Sequence, residues 1–220
     1  VFLYSFAMLM IPEMSEAKIA GNHRTISRMA QRVMRFSLVF SICVATMFLF
    51  FGDDIAMLIY GDKSLGFFIK VLSPIIPFLY LDNVVDGMLK GLNEQLHYLI
   101  YNIIDSATRV ILTFTLLPLM GTKGVIIVCY VSAILNSGLS TLRLIKVAHI
   151  DMKIFSWIIF PVITGISTGL IINAILPRYS ENSLFLVITK CVIFIFIFTA
   201  AVYLSNRVSE NGFNKKITNG

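Results

Sequence analysis

Four ionisable residues lie inside otherwise apolar stretches of this chain, and they are the best candidates for chemistry. Asp82 and Asp86 are one helical turn apart, and Asp105 and Arg109 are one turn apart in the next stretch, where Asn102 precedes them. A charge in the middle of a bilayer costs about 2.5 to 3.5 kcal/mol unless it is paired or hydrated. We therefore expect Arg109 to be shared, one acid to be protonated, or a coupling cation such as Na⁺ or H⁺ to balance the charge.

Two interpretations of these residues stay open. In the structural one, Asp105 and Arg109 form an ion pair that only makes insertion tolerable, and Asp86 reaches the cytoplasmic interface. In the functional one, the charges and Asn102 line a transport cavity that serves a coupling ion or an anionic headgroup. No metal site is predicted, because Cys43, Cys129 and Cys191 lie in apolar stretches without CxxC or Cys/His spacing.

The charges lie on elements long enough to cross a membrane. A hydrocarbon core of about 30 Å takes roughly 20 helical residues. Six apolar stretches meet that length, at 33–51, 65–89, 96–119, 124–142, 154–176 and 184–204. The chain is 57% hydrophobic and 14% charged, whereas a soluble domain has about 25% charged residues. We therefore predict an all-α, polytopic transmembrane helix bundle.

The division of the chain follows from the same pattern. We expect 1–12 to be the end of a truncated transmembrane helix, 13–35 a cytoplasmic basic amphipathic segment, and 36–147 four transmembrane helices. Two additional transmembrane helices should occupy 148–207, and 208–220 should be a cytoplasmic tail. Because the apolar residues at the start follow no initiator Met, we expect the C-terminal part of a longer protein.

Basic residues predict the orientation of the bundle. One side carries twelve: Lys18, Arg24, Arg28, Arg32, Arg35, Lys90, Arg143, Lys146, Lys153, Arg207, Lys215 and Lys216. The other side carries five: Lys63, Lys70, Lys123, Arg178 and Lys190. The positive-inside rule makes the richer side cytoplasmic, together with residues 91–94 and the C-terminus, so that 53–63, 120–123 and 178–182 face outward. Lys70 and Lys190 should snorkel from span ends. We expect no nucleic-acid partner.

Four arginines recur at helical spacing on one face of the basic segment: Arg24, Arg28, Arg32 and Arg35. Ile26, Ala30 and Val33 cover the opposite face. This pattern fits a helix lying along the cytoplasmic headgroup layer before it turns into the bilayer. The alternative is a positively charged extension of the first span that only sets its orientation.

The second span contains two prolines near its middle, Pro74 and Pro77. Each removes a backbone donor and clashes with the preceding turn, so this helix should be kinked or broken. Transporters use such breaks at binding sites and hinges. A kink that serves packing alone is the alternative.

Enzyme motifs are absent from the sequence. His23, His97 and His149 lie in or beside the expected cytoplasmic loops, and there is no HExxH, no Ser/His/Asp order and no glycine-rich phosphate loop. We therefore predict no catalytic residues, no enzymatic activity and no cofactor.

Four short segments carry a family resemblance. They are 11–17 (IPEMSEA), Gly21 with Asn22, 87–92 (GMLKGL) and 118–124 (PLMGTKG). Their order and spacing, over about 8–146, resemble the polysaccharide flippases related to stage V sporulation protein B. Lys90 departs from the pattern, since relatives often carry Gln there.

The resemblance implies a member of the multidrug, oligosaccharidyl-lipid and polysaccharide exporter superfamily. Such proteins have two bundles of six helices around a cavity, and here the second bundle would be followed by two extra C-terminal helices. Some relatives bind sodium through an amide and an acid on the helix equivalent to the third span, which Asn102 and Asp105 match by type. The first bundle is not in this sequence, so the resemblance leaves the substrate open.

The expected function is flipping or export of lipid-linked oligosaccharide, polysaccharide or peptidoglycan precursors by alternating access in the bacterial cytoplasmic (inner) membrane. The bilayer and a lipid-linked glycan would be partners, with cell-envelope biosynthesis enzymes as further ones. A cation-coupled multidrug exporter is the alternative within the superfamily. A membrane-embedded glycan polymerase or acyltransferase would need extended catalytic loops, and the predicted outer loops are short.

Overall fold

A computed structural model describes residues 2–150, 152, 154–175 and 184–218, with the side chains of 11–150, 152, 154–175 and 185–205. This part of the chain is helical apart from short turns. Its α-helices are α1 (Phe2–Ile19), α2 (His23–Tyr60), α3 (Ser64–Leu72), α4 (Ile76–Gly91), α5 (Gln95–Met120), α6 (Thr122–Ala148), α7 (Phe160–Ile175) and α8 (Leu184–Thr218). A π-helical turn, Phe155–Ile159, precedes α7.

Six helical segments of the described chain are long and apolar enough to cross a membrane. They are His23–Tyr60, Ser64–Gly91, Gln95–Met120, Thr122–Ala148, Phe155–Ile175 and Phe185–Ser205. The predicted six-span, all-helical architecture is confirmed at this level, and it indicates a multi-pass membrane protein. Helix α8 continues to Thr218, so residues 208–218 of the expected tail are helical. The predicted outer loop 178–182 lies outside the described residues.

Helix α2 is longer than the sequence predicted. It runs without interruption from His23 to Tyr60, so the arginine-rich stretch is an extension of the first span and not a separate helix that turns at Arg35. Residues 13–19 belong instead to α1. At the other end, the first span was predicted to end at residue 51, and this end is wrong, because Gly52, Asp53 and Asp54 lie within α2.

Two ion pairs explain why α2 can continue through its acidic residues. Asp53 pairs with Lys70 of α3, and Lys190 of α8 donates to Asp54 Oδ2 at 2.8 Å. The side chain of Lys190 has no exposed surface, so the prediction that it snorkels is wrong. Charges that are matched inside the protein do not need to reach water, and the helix has no reason to end at Gly52.

The predicted break in the second span is confirmed. A 3₁₀ turn, Ser73–Ile75, separates α3 from α4. Pro74 has no N–H to donate to the carbonyl of Lys70, four residues earlier. Ser73 donates to that carbonyl instead, through its backbone N–H and through its Oγ at 2.8 Å. The tighter turn therefore follows directly from Pro74.

The chain divides into two compact units. The second span is shared between them, and it passes from one unit to the other at this 3₁₀ turn. One unit comprises Val1–Ser41 and Ile75–Lys153, and the other comprises Ile42–Pro74 and Ile154–Gly220. In the first unit, α4 packs against α1 and α6, and α5 packs against α6. A Cβ added at Gly91 would lie 3.0 Å from the carbonyl oxygen of Ile11, which shows how closely α4 approaches α1.

The second unit contains the last part of α2 with α3, α7 and α8. Helix α7 approaches α2 through Gly165, where a Cβ would lie 2.6 Å from Thr46 Oγ1. Phe51, Phe194 and Phe198 are fully buried and their rings pack in series, and the Lys190 ammonium lies 6.0 Å from the centre of the Phe51 ring. This unit therefore places an ion pair inside an aromatic core.

Candidate functional site

Three helices of the first unit bring the embedded polar residues together. Helix α4 supplies acids, α5 supplies an acid and a guanidinium, and α6 supplies hydroxyls and an amide. We call this set the polar cluster: Asp82, Asp86, Tyr98, Asp105, Arg109, Ser132, Asn136 and Ser140. Helical periodicity predicts which residues of one helix lie side by side. It could not predict that α6 takes part, because the position of α6 depends on tertiary packing.

Asp105 is the most completely bonded member of the polar cluster. Arg109 Nη2 donates to Asp105 Oδ2 at 2.9 Å and to Ser132 Oγ at 2.7 Å. Ser132 Oγ in turn donates to Asp105 Oδ1 at 2.5 Å, and Asp105 is only 5% exposed. The predicted Asp105–Arg109 pair is confirmed. Of the three expected ways to balance the charge, the first was that Arg109 is shared with an acid of the second span. That expectation is wrong, since its ion pair among the described residues is with Asp105.

The two acids of α4 are bonded much less completely. Asn136 Nδ2 donates to Asp82 Oδ2 at 2.8 Å. The other oxygen of Asp82, Oδ1 of Asp86 and Oδ1 of Asn136 are all buried without a hydrogen-bond partner in the described chain. The fully buried hydroxyl of Ser140 is directed at Asp82, and no group of the described chain donates to its Oγ. Buried polar atoms are rarely left in this state in native proteins.

Charge in the polar cluster is unbalanced. Asp86 has Lys90 and Tyr98 as neighbours, and the ammonium of Lys90 lies 4.5 Å from the centre of the Tyr98 ring. With Lys90 included, three carboxylates face one ammonium and one guanidinium. With every one of these groups ionised, the set would carry one negative charge in excess.

Arg109 lies near the middle of its helix, yet its side chain is 60% exposed. At 1.5 Å per residue it is about 21 Å from Gln95 and about 16 Å from Met120. Asn102, Ser106 and Thr113 lie on the same side of α5 at spacings of three and four residues. An exposed guanidinium at this depth requires water or protein around it, because hydrocarbon cannot solvate it.

A shallow, open apolar groove of about 600 Å³ lies along the surface of α5 beside this polar stripe, and all the residues that line it belong to α5. Its lining includes Leu99, Ile103, Ala107 and Val110 together with Asn102 and Ser106. Asn102 donates through Nδ2 to the carbonyl of Tyr98 at 2.9 Å. Both oxygens of Asp105 accept hydrogen bonds from Arg109 and Ser132, and a sodium site shared by Asn102 and Asp105 stays a prediction.

A second group of polar residues lies at the end of the first unit where α4 meets α5. Arg143 of α6 donates to Glu94 Oε2 through Nε at 3.1 Å and Nη2 at 2.7 Å, and Lys18 of α1 donates to the carbonyl of Leu92. Burial works against ionisation of Glu94, but the hydrogen bond and charge of Arg143, with the charges of His97 and Lys18, outweigh it and lower the pKa of Glu94. Sequence reasoning missed this contact, since its partners are far apart along the chain.

The arginines of α2 form the basic face that the sequence predicted. Arg24, Arg28 and Arg32 are exposed, while residues on the opposite side such as Ala30 and Val33 are buried. Arg28 Nε donates to the carbonyl of Arg24 at 3.4 Å. Because α2 is continuous, this face is the outer surface of a helix extension.

Together these features indicate a multi-pass helical membrane protein with a polar cluster among three of its helices. No family model matches the chain, and neither a curated protein nor a solved structure matches it. The particular family and substrate are therefore a matter of proposal.

Proposed function

We propose that this chain is part of a transporter that moves an amphiphilic, lipid-linked glycan across a bacterial cytoplasmic membrane by alternating access. The observation that carries the proposal is the exposed guanidinium of Arg109 at the middle of an apolar helix. Nη2 is engaged by Asp105 and Ser132, and Nε and Nη1 make no hydrogen bond within the described chain. Arg109 thus offers oriented donors to an anionic group such as a lipid phosphate or diphosphate.

The surface of α5 supports an amphiphilic substrate in particular. The polar stripe of Asn102, Ser106 and Arg109 lies directly beside the apolar groove lined by Leu99 and Ile103. A headgroup could contact the stripe while a hydrocarbon chain lies in the groove. The glycan itself is proposed from the resemblance of four sequence segments to polysaccharide flippases, and with it a second six-helix bundle of the superfamily fold.

Arg109 is the residue on which the proposal is tested. The full-length protein is reconstituted in vesicles, and flipping of an undecaprenyl diphosphate-linked oligosaccharide is followed by its access to an external glycosidase. Arg109→Gln should slow flipping about ten- to a hundredfold, because a hydrogen bond to a charged group is worth roughly 1.5–3 kcal/mol. Thr115→Val is the matched control, since the hydroxyl of Thr115 only returns to its own helix at Ile111.

A double variant separates substrate binding from folding. Arg109→Gln alone leaves Asp105 buried and uncompensated, whereas Arg109→Gln with Asp105→Asn removes both charges together. We expect the double variant to melt close to the parent protein and still to flip slowly. Flipping at the parental rate would contradict the role of Arg109.

The negative excess of the polar cluster favours a second candidate, a cation-coupled exporter of cationic drugs. The same vesicles can be assayed for transport of a small cationic dye. Dye transport without flipping of the lipid-linked glycan would support the drug exporter and contradict the first proposal.

A further inference from the structure

The unpartnered oxygens of the polar cluster belong to two helices that pack against each other. Asp82 and Asp86 are one turn apart on α4, and Asn136 and Ser140 are one turn apart on α6. The contact between the helices is fixed by the bond from Asn136 Nδ2 to Asp82 Oδ2. Oδ1 of Asp82, Asp86 and Asn136 and the Oγ of Ser140 all remain without a donor in the described chain.

We propose that Asp82, Asp86, Asn136 and Ser140 form a binding site for a monovalent cation, Na⁺. Carboxylate, amide carbonyl and hydroxyl oxygens are hard ligands, which suit hard cations. The set contains two carboxylates, and no group of three or more His, Cys, Asp or Glu side chains converges within the described residues. This composition does not suit a transition metal.

Charge selects a monovalent ion over a divalent one. The acids Asp82, Asp86 and Asp105 face Lys90 and Arg109, so one positive charge neutralises the region. A divalent ion would leave an excess positive charge in a low-dielectric environment, where the penalty for an unbalanced charge is large.

Ser140 contributes an oxygen that does not belong to an acid. Its side chain is fully buried with the hydroxyl directed at Asp82, and no group of the described chain donates to its Oγ. A hydroxyl that faces a carboxylate in this way keeps its lone pairs, and buried acceptor oxygens without a partner cost about 1–3 kcal/mol each. A cation bound by lone pairs of Ser140, Asp82 and Asn136 would satisfy all three oxygens at once.

This site differs from the one that the family resemblance implies. That site would join Asn102 and Asp105 on α5, where both oxygens of Asp105 already accept hydrogen bonds from Arg109 and Ser132. The structure assigns the cation to α4 and α6 instead, about 12 to 14 Å from the ends of these helices at Asp82 and Ser140. Only the role of the ion in driving transport rests on the proposed function.

Thermal unfolding of the purified full-length protein tests binding without any transport assay. NaCl is titrated against choline chloride at constant ionic strength, with KCl in parallel. Na⁺ at ten times its Kd should raise the Tm by roughly 3–6 °C, since a ligand that binds only the folded state stabilises it. Ser140→Ala and Asp86→Asn should each abolish most of this shift. Asn83→Ala is the matched control, because Asn83 on the same helix bonds only to its own backbone at Leu79.

Three outcomes overturn the assignment. The first is no Na⁺-dependent shift in the parent protein, or an equal shift with K⁺. The second is a shift that survives Ser140→Ala and Asp86→Asn but disappears in Asn102→Ala, which would favour the site on α5. The third is a Tm that changes with pH but not with Na⁺. It would identify a proton shared by Asp82 and Asp86, and the groups that face these two acids are Lys90, Tyr98 and Asp105. A Na⁺ shift without glycan flipping would contradict the proposed function and leave the cation site intact.

Discussion

At the scale of single residues, two adjacent acids of α2 make the same kind of ion pair in different surroundings. In the Asp54–Lys190 pair the side chains are 12% and 0% exposed, whereas in the Asp53–Lys70 pair they are 50% and 33% exposed. Lys190→Met alone should therefore lower stability by about 3–5 kcal/mol, because it leaves Asp54 buried without its partner. Lys70→Met should cost about 0–1 kcal/mol.

Thermal or denaturant unfolding of the purified variants measures both effects. Adding Asp54→Asn to Lys190→Met should recover most of the loss, since the remaining core is neutral and lined by Phe51 and Phe194. Equal costs for Lys190→Met and Lys70→Met, or strict additivity of the substitutions at 54 and 190, would contradict this account of burial.

At the scale of elements, hydrophobic periodicity and length were sufficient to predict the spans, and the two prolines were sufficient to predict the break. The sequence could not predict that α2 extends to Tyr60, because a Gly followed by Asp53 and Asp54 has the composition of a turn. The partners that keep these acids inside a helix, Lys70 and Lys190, come from other elements. Local composition therefore failed where tertiary pairing determines the end of a helix.

The 3₁₀ turn at Ser73–Ile75 supports a prediction about motion, which rests on the proposed function. Pro74→Ala together with Pro77→Ala restores two N–H donors, and the one at position 74 can reach the Lys70 carbonyl as in a regular α-helix. We expect a continuous helix with slower hydrogen exchange at 74 to 77, an unchanged or higher Tm, and slower transport.

Pro118→Ala is the control for this substitution, since Pro118 lies near the end of α5 and away from the boundary between the two units. It should leave the transport rate unchanged. If the double variant at 74 and 77 becomes a regular helix and transports at the parental rate, the break serves packing and not movement.

At the scale of the whole molecule, the sequence indicated which residues of α4 and α5 belong to the polar cluster but not how they are bonded. Asp105 and Arg109 are four residues apart on one helix, so their pair could be predicted. Ser132, Asn136 and Ser140 come from α6, and their hydroxyl and amide groups determine which acid oxygens are satisfied. Helical periodicity can therefore identify the acids, but the α6 residues that determine their hydrogen bonding are distant in the sequence.

The orientation of the helices in the membrane is the remaining whole-molecule prediction. Lys18 bonds to Leu92, and Ser27 bonds to His149 at 2.9 Å, so the α1–α2 turn, the α4–α5 turn and the end of α6 lie at the same end of the first unit. Eight of the twelve basic residues lie on the helix ends that meet here, so this end should be cytoplasmic: Lys18, Arg24, Arg28, Arg32, Arg35, Lys90, Arg143 and Lys146. The α2–α3 turn, which contains Lys63, and the α5–α6 turn, next to Lys123, should then face outward.

Cysteine labelling in intact cells measures this orientation. Cys43, Cys129 and Cys191 are first replaced by Ala, and Ala20→Cys, Gln95→Cys, Lys63→Cys and Lys123→Cys are introduced singly at exposed positions. An impermeant maleimide should label the substitutions at 63 and 123 directly, and those at 20 and 95 only after the membrane is permeabilised. Direct labelling at 20 and 95 with protection at 63 and 123 would reverse the orientation. Labelling at 95 and 123 alike would contradict α5 as a membrane span, because these positions lie at its opposite ends.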